Sequence, residues 1–173
     1  MNRRGARILV ITGPGKGKTT AATGTLMRAL AYGKKALLVR FAKAAHSGEI
    51  DILSTLPNLA IVTGDHGMTP KPDDPRFPGH VRAARALFEQ AKTRAPGFDL
   101  IVLDELCGIV ARGMIEEDEA VSFLRSLRPD QAAILTGRGA SPKLIAAADT
   151  VSDIRNLKHA YDQGIPAEPG IEY

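Results

Sequence analysis

Short apolar runs alternate with longer amphipathic stretches along most of this 173-residue chain. Six runs have the length and composition of buried strands, and they fall at residues 7–12, 36–41, 59–63, 99–104, 132–136 and 150–155. Between them, residues 18–32, 81–92, 116–127 and 142–148 are predicted to be helical. The apolar residues of 81–92 fall on one helical face, and 116–127 has an acidic first turn. The alternation predicts an α/β fold of three layers, a mostly parallel sheet with helices on both faces.

Two segments lack either periodicity. Residues 64–79 carry four prolines and three glycines, which predicts a long loop. Residues 158–173 contain two prolines and two glycines, and we expect this tail to wrap the body without forming an element. The chain shows no internal repeat and has the length of one domain, so residues 1–173 are predicted to form a single domain.

Composition limits the cellular setting and the partners. No apolar run approaches the ~18 residues that a membrane span needs, so we expect no membrane contact. Cys107 is the only cysteine, and the chain enters its first strand at Arg7 without room for a signal peptide, which together predict a cytoplasmic protein. The net charge of +4 is not gathered in an Arg/Lys block, so we predict no nucleic-acid partner.

A glycine-rich turn joins the first predicted strand to the first predicted helix. Residues 12–20 read Thr-Gly-Pro-Gly-Lys-Gly-Lys-Thr-Thr. Such a turn points successive backbone N–H groups at a triphosphate, while Lys18 reaches the β- and γ-phosphates and the Thr19 hydroxyl ligates Mg²⁺. Thr12 stands where the general phosphate-loop pattern has a glycine, and the alternative is a glycine-rich turn with incidental lysines. The predicted nucleotide-binding residues here are Gly13, Gly15, Lys16, Gly17, Lys18, Thr19 and Thr20.

A second motif lies at the end of the fourth predicted strand. The run Leu100–Leu103 ends in Asp104 and Glu105. A carboxylate in this position is the expected metal partner of a phosphate loop, so we predict that Thr19, Asp104 and Glu105 hold Mg²⁺ or Mn²⁺. Glu105 also has the chemistry to position a water in a hydrolase, and both roles stay open.

These pieces together resemble the bacterial ATP:corrinoid adenosyltransferases. The family loop, Thr-Gly-x-Gly-Lys-Gly-Lys-(Ser/Thr)-Thr-Ala-Ala, matches residues 12–22, including the missing early glycine. Val-Val-Leu-Asp-Glu is similar to residues 101–105, and Thr-Gly-Arg-Gly stands at 136–139. The family tail matches residues 158–173 almost throughout. The resemblance spans nearly the whole chain.

The resemblance implies transfer of the 5′-deoxyadenosyl group of ATP to the cobalt(I) of a corrinoid, such as cob(I)yrinic acid a,c-diamide, with triphosphate leaving. It implies Lys18 and Glu105 as catalytic residues, and Arg28 and Arg138 as further nucleotide contacts. Without it, Arg28 is a solvated helix arginine, and Arg138 is either a ligand contact at the carboxyl edge of the sheet or an incidental residue of a tight turn. A homodimer and a reduced flavoprotein electron donor are also implied. The alternatives are an ATPase that forms ADP and a nucleotide-dependent corrinoid carrier or regulator without turnover.

One departure from the family concerns the lower face of the corrinoid. Many members carry Phe-x-Trp in a loop that keeps the lower ligand off the cobalt, and this chain has no tryptophan. Either Met68 or Phe77 takes the place of this aromatic pair, or the natural corrinoid lacks a bulky lower ligand.

Overall fold

The sheet is parallel throughout. The computed structural model describes residues 5–42, 48–64, 67 and 69–171. Its strands are β1 (Arg7–Thr12), β2 (Ala36–Arg40), β3 (Leu59–Thr63), β4 (Leu100–Asp104), β5 (Ala132–Thr136) and β6 (Thr150–Asp153). They form one sheet in the order β3-β2-β4-β5-β1-β6, and every neighbouring pair is parallel. The predicted strands are therefore confirmed, with shifts of at most two residues at their ends.

Helices connect the strands. They are α1 (Lys18–Ala31), α2 (Gly48–Leu53), α3 (Phe77–Arg94), α4 (Leu106–Ala111), α5 (Glu117–Ser126) and α6 (Pro142–Ala147). The four predicted helices correspond to α1, α3, α5 and α6. The short α2 and α4 were not predicted.

The helices cover both faces of the sheet, as the three-layer prediction requires. Alternate residues of each strand point to opposite faces. Leu37 and Val39 of β2 belong to a core cluster with residues of α3, α4, α5 and α6. Leu38 belongs to a second cluster with Ala22 and Leu26 of α1. The sheet is therefore buried on both faces, which is the environment that parallel strands need.

Helix α3 begins earlier than its apolar spacing predicts. The predicted start was Val81, but α3 begins at Phe77, so the last three residues of the predicted loop are helical. Pro78 lies in the first turn, where its fixed φ angle suits a helix and its missing N–H costs nothing. Asp74 accepts hydrogen bonds from the backbone N–H and the guanidinium of Arg76 and so orders the chain before the helix.

The tail does not wrap the body. Residues 155–158 and 161–171 are exposed, and Tyr161–Gln163 form one turn of 3₁₀ helix. Leu157 is 91% exposed and Tyr161 is 82% exposed. We predicted that the tail packs against the rest of the chain and forms no regular element, and both predictions are wrong for the described residues. These apolar side chains find no surface of the same chain to bury against.

Candidate active site

The glycine-rich loop is held against the segment that follows β6. The Gly15 N–H donates to the Ile154 carbonyl at 2.8 Å, and the Ile154 N–H donates to the Thr12 carbonyl at 2.9 Å. A Cβ atom on Gly15 would lie 2.5 Å from the Arg155 carbonyl oxygen, so only glycine fits. Gly13 has a φ of 101°, a conformation that side-chain-bearing residues rarely adopt. The loop therefore has a fixed backbone path.

Lys18 is the first residue of α1 and lies inside the loop. Its ammonium group donates to the Gly15 carbonyl at 2.6 Å, and the residue is only 8% exposed. The N-terminus of a 14-residue helix contributes a partial positive charge at the same point. Lys18 and the helix end are thus directed at one small volume, as a triphosphate site requires. Lys16 and Thr20 are exposed beside it.

Asp104 joins three elements at the carboxyl edge of the sheet. Its Oδ1 atom accepts from the Thr19 hydroxyl at 2.9 Å and from the Thr136 hydroxyl at 2.6 Å. Thr19 and Asp104 are 85 residues apart in the chain, and Asp104 is 1% exposed. The structure therefore brings together the hydroxyl and the carboxylate that the sequence predicted as metal ligands.

A buried cation lies beside Asp104. Arg40 ends β2, is the register partner of Asp104, and is 2% exposed. Burial lowers the pKa of its guanidinium, whereas the charges of Asp104 and Glu49 raise it. Arg40, Glu49 and Asp104 line one small cavity with Thr19. Buried charges are stable only when paired, so Arg40 and Asp104 support each other.

Glu105 occupies a strained backbone conformation. Its φ of 68° is in the left-handed region, which costs about 1–3 kcal/mol for a residue other than glycine. Its N–H donates to the Thr136 hydroxyl at 2.9 Å, which fixes this turn between β4 and α4. The turn directs the chain away from the sheet edge immediately after Asp104. Strain of this kind is concentrated at functional sites.

Two clefts share Arg138. The first, the Glu105 cleft, has a volume of about 260 Å³ and is lined by Ala42, Thr69, Glu105, Ile109, Arg112 and Arg138, among others. The second, of about 430 Å³, lies beside Thr12, Gly13 and Pro14. Arg138 therefore stands between the phosphate loop and Glu105, at the sheet edge where α/β proteins bind ligands.

The comparisons with known proteins agree on one family. The model of the family described as ATP:corrinoid adenosyltransferase BtuR/CobO/CobP matches residues 4–173. Corrinoid adenosyltransferase CobA of Salmonella typhimurium is 37% identical over 171 residues, covering 96% of this chain and 85% of that protein. A corrinoid adenosyltransferase of Pseudomonas aeruginosa is 36% identical over 169 residues, covering 96% and 83%.

This chain belongs to the ATP:corrinoid adenosyltransferase family. It is therefore an enzyme that uses ATP and a corrinoid as substrates, and the ATPase and carrier alternatives are not supported. A solved structure of a KaiC-like protein from Pyrococcus horikoshii OT3 has the same fold, with a TM-score of 0.50 and 19% identity over 88% of this chain and 73% of that one. No helix in the described ranges is long and apolar enough to cross a membrane.

The adenosyltransferase site has the donor set that Mg²⁺ prefers. Mg²⁺ binds oxygen ligands, usually one or two from protein and the rest from phosphates and water. The Thr19 hydroxyl and the Asp104 carboxylate meet beside the phosphate loop, and Glu105 follows directly. Within the described ranges, no three His, Cys, Asp or Glu side chains are close enough to form a metal site on their own. The residues present therefore fit a metal held jointly with a nucleotide.

Arg28 lies away from the phosphate loop. It is ten residues beyond Lys18 on α1, about 15 Å along the helix. It lines a cleft with Arg7, Leu100 and Ala132, at the opposite edge of the sheet from Asp104. Arg28 and Asp104 therefore do not line a common cleft in the described part of one chain. The nucleotide contact of Arg28 stays a prediction.

Phe77 and Met68 were the proposed replacements for the family's Phe-x-Trp pair, and the structure describes only Phe77. Phe77 is half-buried and packs against the core beneath α3. Met68 lies outside the described residues.

Cys107 is fully buried, and this burial, with the charge of Glu105, raises the pKa of its thiol to about 12, so it is not a nucleophile at neutral pH.

Sequence reasoning missed Arg40 and Thr136 as members of the site. Arg40 is the last residue of a buried strand. The sequence does not show whether a charged residue at a strand end is buried or exposed. Thr136 was noted only as part of Thr-Gly-Arg-Gly, and its contact with Asp104 depends on β5 lying beside β4. The usable signal was a polar residue at the end of each of three neighbouring strands.

Proposed function

We propose that the phosphate loop holds the triphosphate of ATP and that the reduced corrinoid occupies the Glu105 cleft. The observation that carries this proposal is the 2.9 Å contact between Thr19 and Asp104. The contact brings two of the predicted metal ligands together at the start of α1, and the third, Glu105, lines the cleft. Arg138 lines this cleft and the cleft beside the loop, and has the position to bind the nucleotide between them.

The group transfer needs little from acid–base chemistry. The cobalt(I) centre of the corrinoid donates an electron pair to C5′ of ATP, the C5′–O5′ bond breaks, and its electron pair leaves with triphosphate. The cobalt is formally oxidised by two electrons to cobalt(III), and no proton has to be removed. The protein must therefore align C5′ with the cobalt and stabilise negative charge on the leaving triphosphate.

The described residues supply that stabilisation. The backbone N–H groups of the loop, the Lys18 ammonium and the end of α1 are fixed before the substrate binds. Thr19, Asp104 and Glu105 would hold Mg²⁺ or Mn²⁺, which when bound neutralises charge on the triphosphate. The buried guanidinium of Arg40 lies beside Asp104, its register partner, and compensates the charge of that carboxylate. Glu105 then acts at the metal rather than on a water.

The role of Glu105 has a direct test. Glu105→Gln keeps the size of the side chain and removes its charge. We expect the metal concentration for half-maximal adenosyl transfer to rise and the maximal rate to fall by about 10-fold, as for one lost charged contact worth ~1.4 kcal/mol. Glu116→Gln, an exposed glutamate before α5, is the matched control. The opposite result would be that wild type hydrolyses ATP to ADP and phosphate about as fast as it transfers the adenosyl group, and that Glu105→Gln abolishes the hydrolysis alone. Glu105 would then activate water instead.

The setting of the reaction extends the proposal. We infer a single domain acting in the cytoplasm as a homodimer, with a reduced flavoprotein supplying electrons for cobalt(I). The exposed apolar side chains Leu157, Tyr161 and Ile171 support the dimer, because apolar surface of this kind is commonly covered by another chain.

A further inference from the structure

Arg112 is a cation of the Glu105 cleft that the family resemblance did not assign. It caps the C-terminus of α4 and is exposed. A cation at this end of a helix is favourable by itself, because it complements the helix dipole. The interaction with the helix dipole does not depend on whether Arg112 lines a cleft. Arg112 nevertheless lines the Glu105 cleft together with Glu105 and Arg138.

The described lining of the cleft carries more positive than negative charge. It includes two arginines and one glutamate, and no described carboxylate forms an ion pair with either arginine. Elsewhere on the surface, by contrast, Arg76 pairs with Asp74 and Arg128 pairs with Asp130. The described part of the cleft therefore has an excess positive charge to offer to an anionic ligand.

The two arginines differ in the clefts that they line. Arg138 also lines the cleft beside Thr12 and Gly13, so a triphosphate in the loop is a sufficient partner for it. Arg112 does not line that cleft. An anionic group on the other substrate would give Arg112 a ligand on this side of Glu105.

We propose that Arg112 selects corrinoids whose peripheral acetate and propionate side chains are free carboxylates over corrinoids in which they are amidated. The inference rests on the proposed function, which puts the corrinoid in the Glu105 cleft. The lining of the cleft also includes Ala42, Ile109 and Ala111, small or apolar side chains suited to the face of a flat macrocycle. Arg112 is an exposed residue of the same lining, accessible to the side chains that project from such a ring. A guanidinium binds a carboxylate through two parallel hydrogen bonds, which an amide cannot reproduce.

The test compares two probes, cobyrinic acid and its fully amidated form. Binding of each in its cobalt(II) state is measured spectroscopically with ATP present, and kcat/KM is measured after chemical reduction. Wild type should favour the acid, and Arg112→Gln should reduce this preference by about 5- to 10-fold, the range between an exposed and a partly buried ion pair. Arg112→Glu should reverse the preference. Rising ionic strength should weaken the preference in wild type because exposed charges are screened.

Two further variants separate charge recognition from a structural effect. Arg112→Lys retains the charge and should keep most of the preference. Arg94→Gln removes an exposed arginine at the far end of α3 and should leave it unchanged. Equal binding of the two probes by wild type, or an equal loss for both in Arg112→Gln, overturns the proposal. If neither probe is adenosylated, the proposed function fails, and the binding measurements still decide whether Arg112 recognises carboxylates.

Discussion

Lys18→Ala is expected to lower kcat/KM for ATP by about 10²- to 10³-fold, because one fixed donor to the developing charge is worth ~3–4 kcal/mol in the transition state. The Lys18 ammonium lies inside the loop and is almost fully buried, so solvent cannot replace it. Steady-state kinetics with saturating reduced corrinoid measures the effect. The corrinoid affinity should change little, since Lys18 does not line the Glu105 cleft.

The matched control for Lys18 is Lys34→Ala, an exposed lysine just beyond α1. It should leave kcat/KM for ATP unchanged, and both variants should unfold at the same temperature as wild type to within a few degrees. A loss smaller than about threefold in Lys18→Ala, well under the ~1.4 kcal/mol of a tenfold change, would contradict the assignment of the loop as the triphosphate site.

Asp104→Asn should reduce both activity and stability. It removes the charge that accepts from Thr19 and Thr136, and it leaves the buried Arg40 without that compensation. Breaking a buried pair by removing one partner costs about 3–5 kcal/mol, which chemical denaturation measures directly. We expect adenosyl transfer to fall by about 10²-fold or more, since a charged ligand of the proposed metal is lost.

A double variant separates these two effects of Asp104. Arg40→Gln with Asp104→Asn removes both charges, so it should recover part of the lost stability but none of the activity. Asp130→Asn, in an exposed pair with Arg128, should change neither quantity. Full activity in Asp104→Asn at saturating Mg²⁺ would show that Asp104 is not part of the metal site.

The sheet was predictable because its strands are compact apolar runs. Burial on both faces makes β2 and β4 continuous stretches of apolar residues that end in a polar one, and turn residues separate them from the helices. The phosphate loop and Asp104 followed from their positions at strand ends. Strand order was beyond the sequence, and so were the contacts of Arg40 and Thr136 that depend on it.

The two missed helices had different causes. In α4, four of the six residues are buried, so no polar face alternates with the apolar one, and the pattern is that of a core segment without a distinct period. Helix α2 begins with glycine, a poor helix former, whereas α6, which has the same length of six residues and was predicted, begins with proline after a serine cap. The left-handed turn at Glu105 is also invisible in the sequence, because glutamate rarely adopts that conformation.

The most direct test of the central claim is the product balance of a single anaerobic reaction. Wild type is incubated with ATP, Mg²⁺ and a chemically reduced corrinoid, and the adenosylated corrinoid and the polyphosphate products are measured together. We expect equal amounts of a light-sensitive adenosylcorrinoid and intact triphosphate, both strongly reduced in Lys18→Ala. Release of ADP and phosphate without a cobalt–carbon bond would contradict adenosyl transfer at this site.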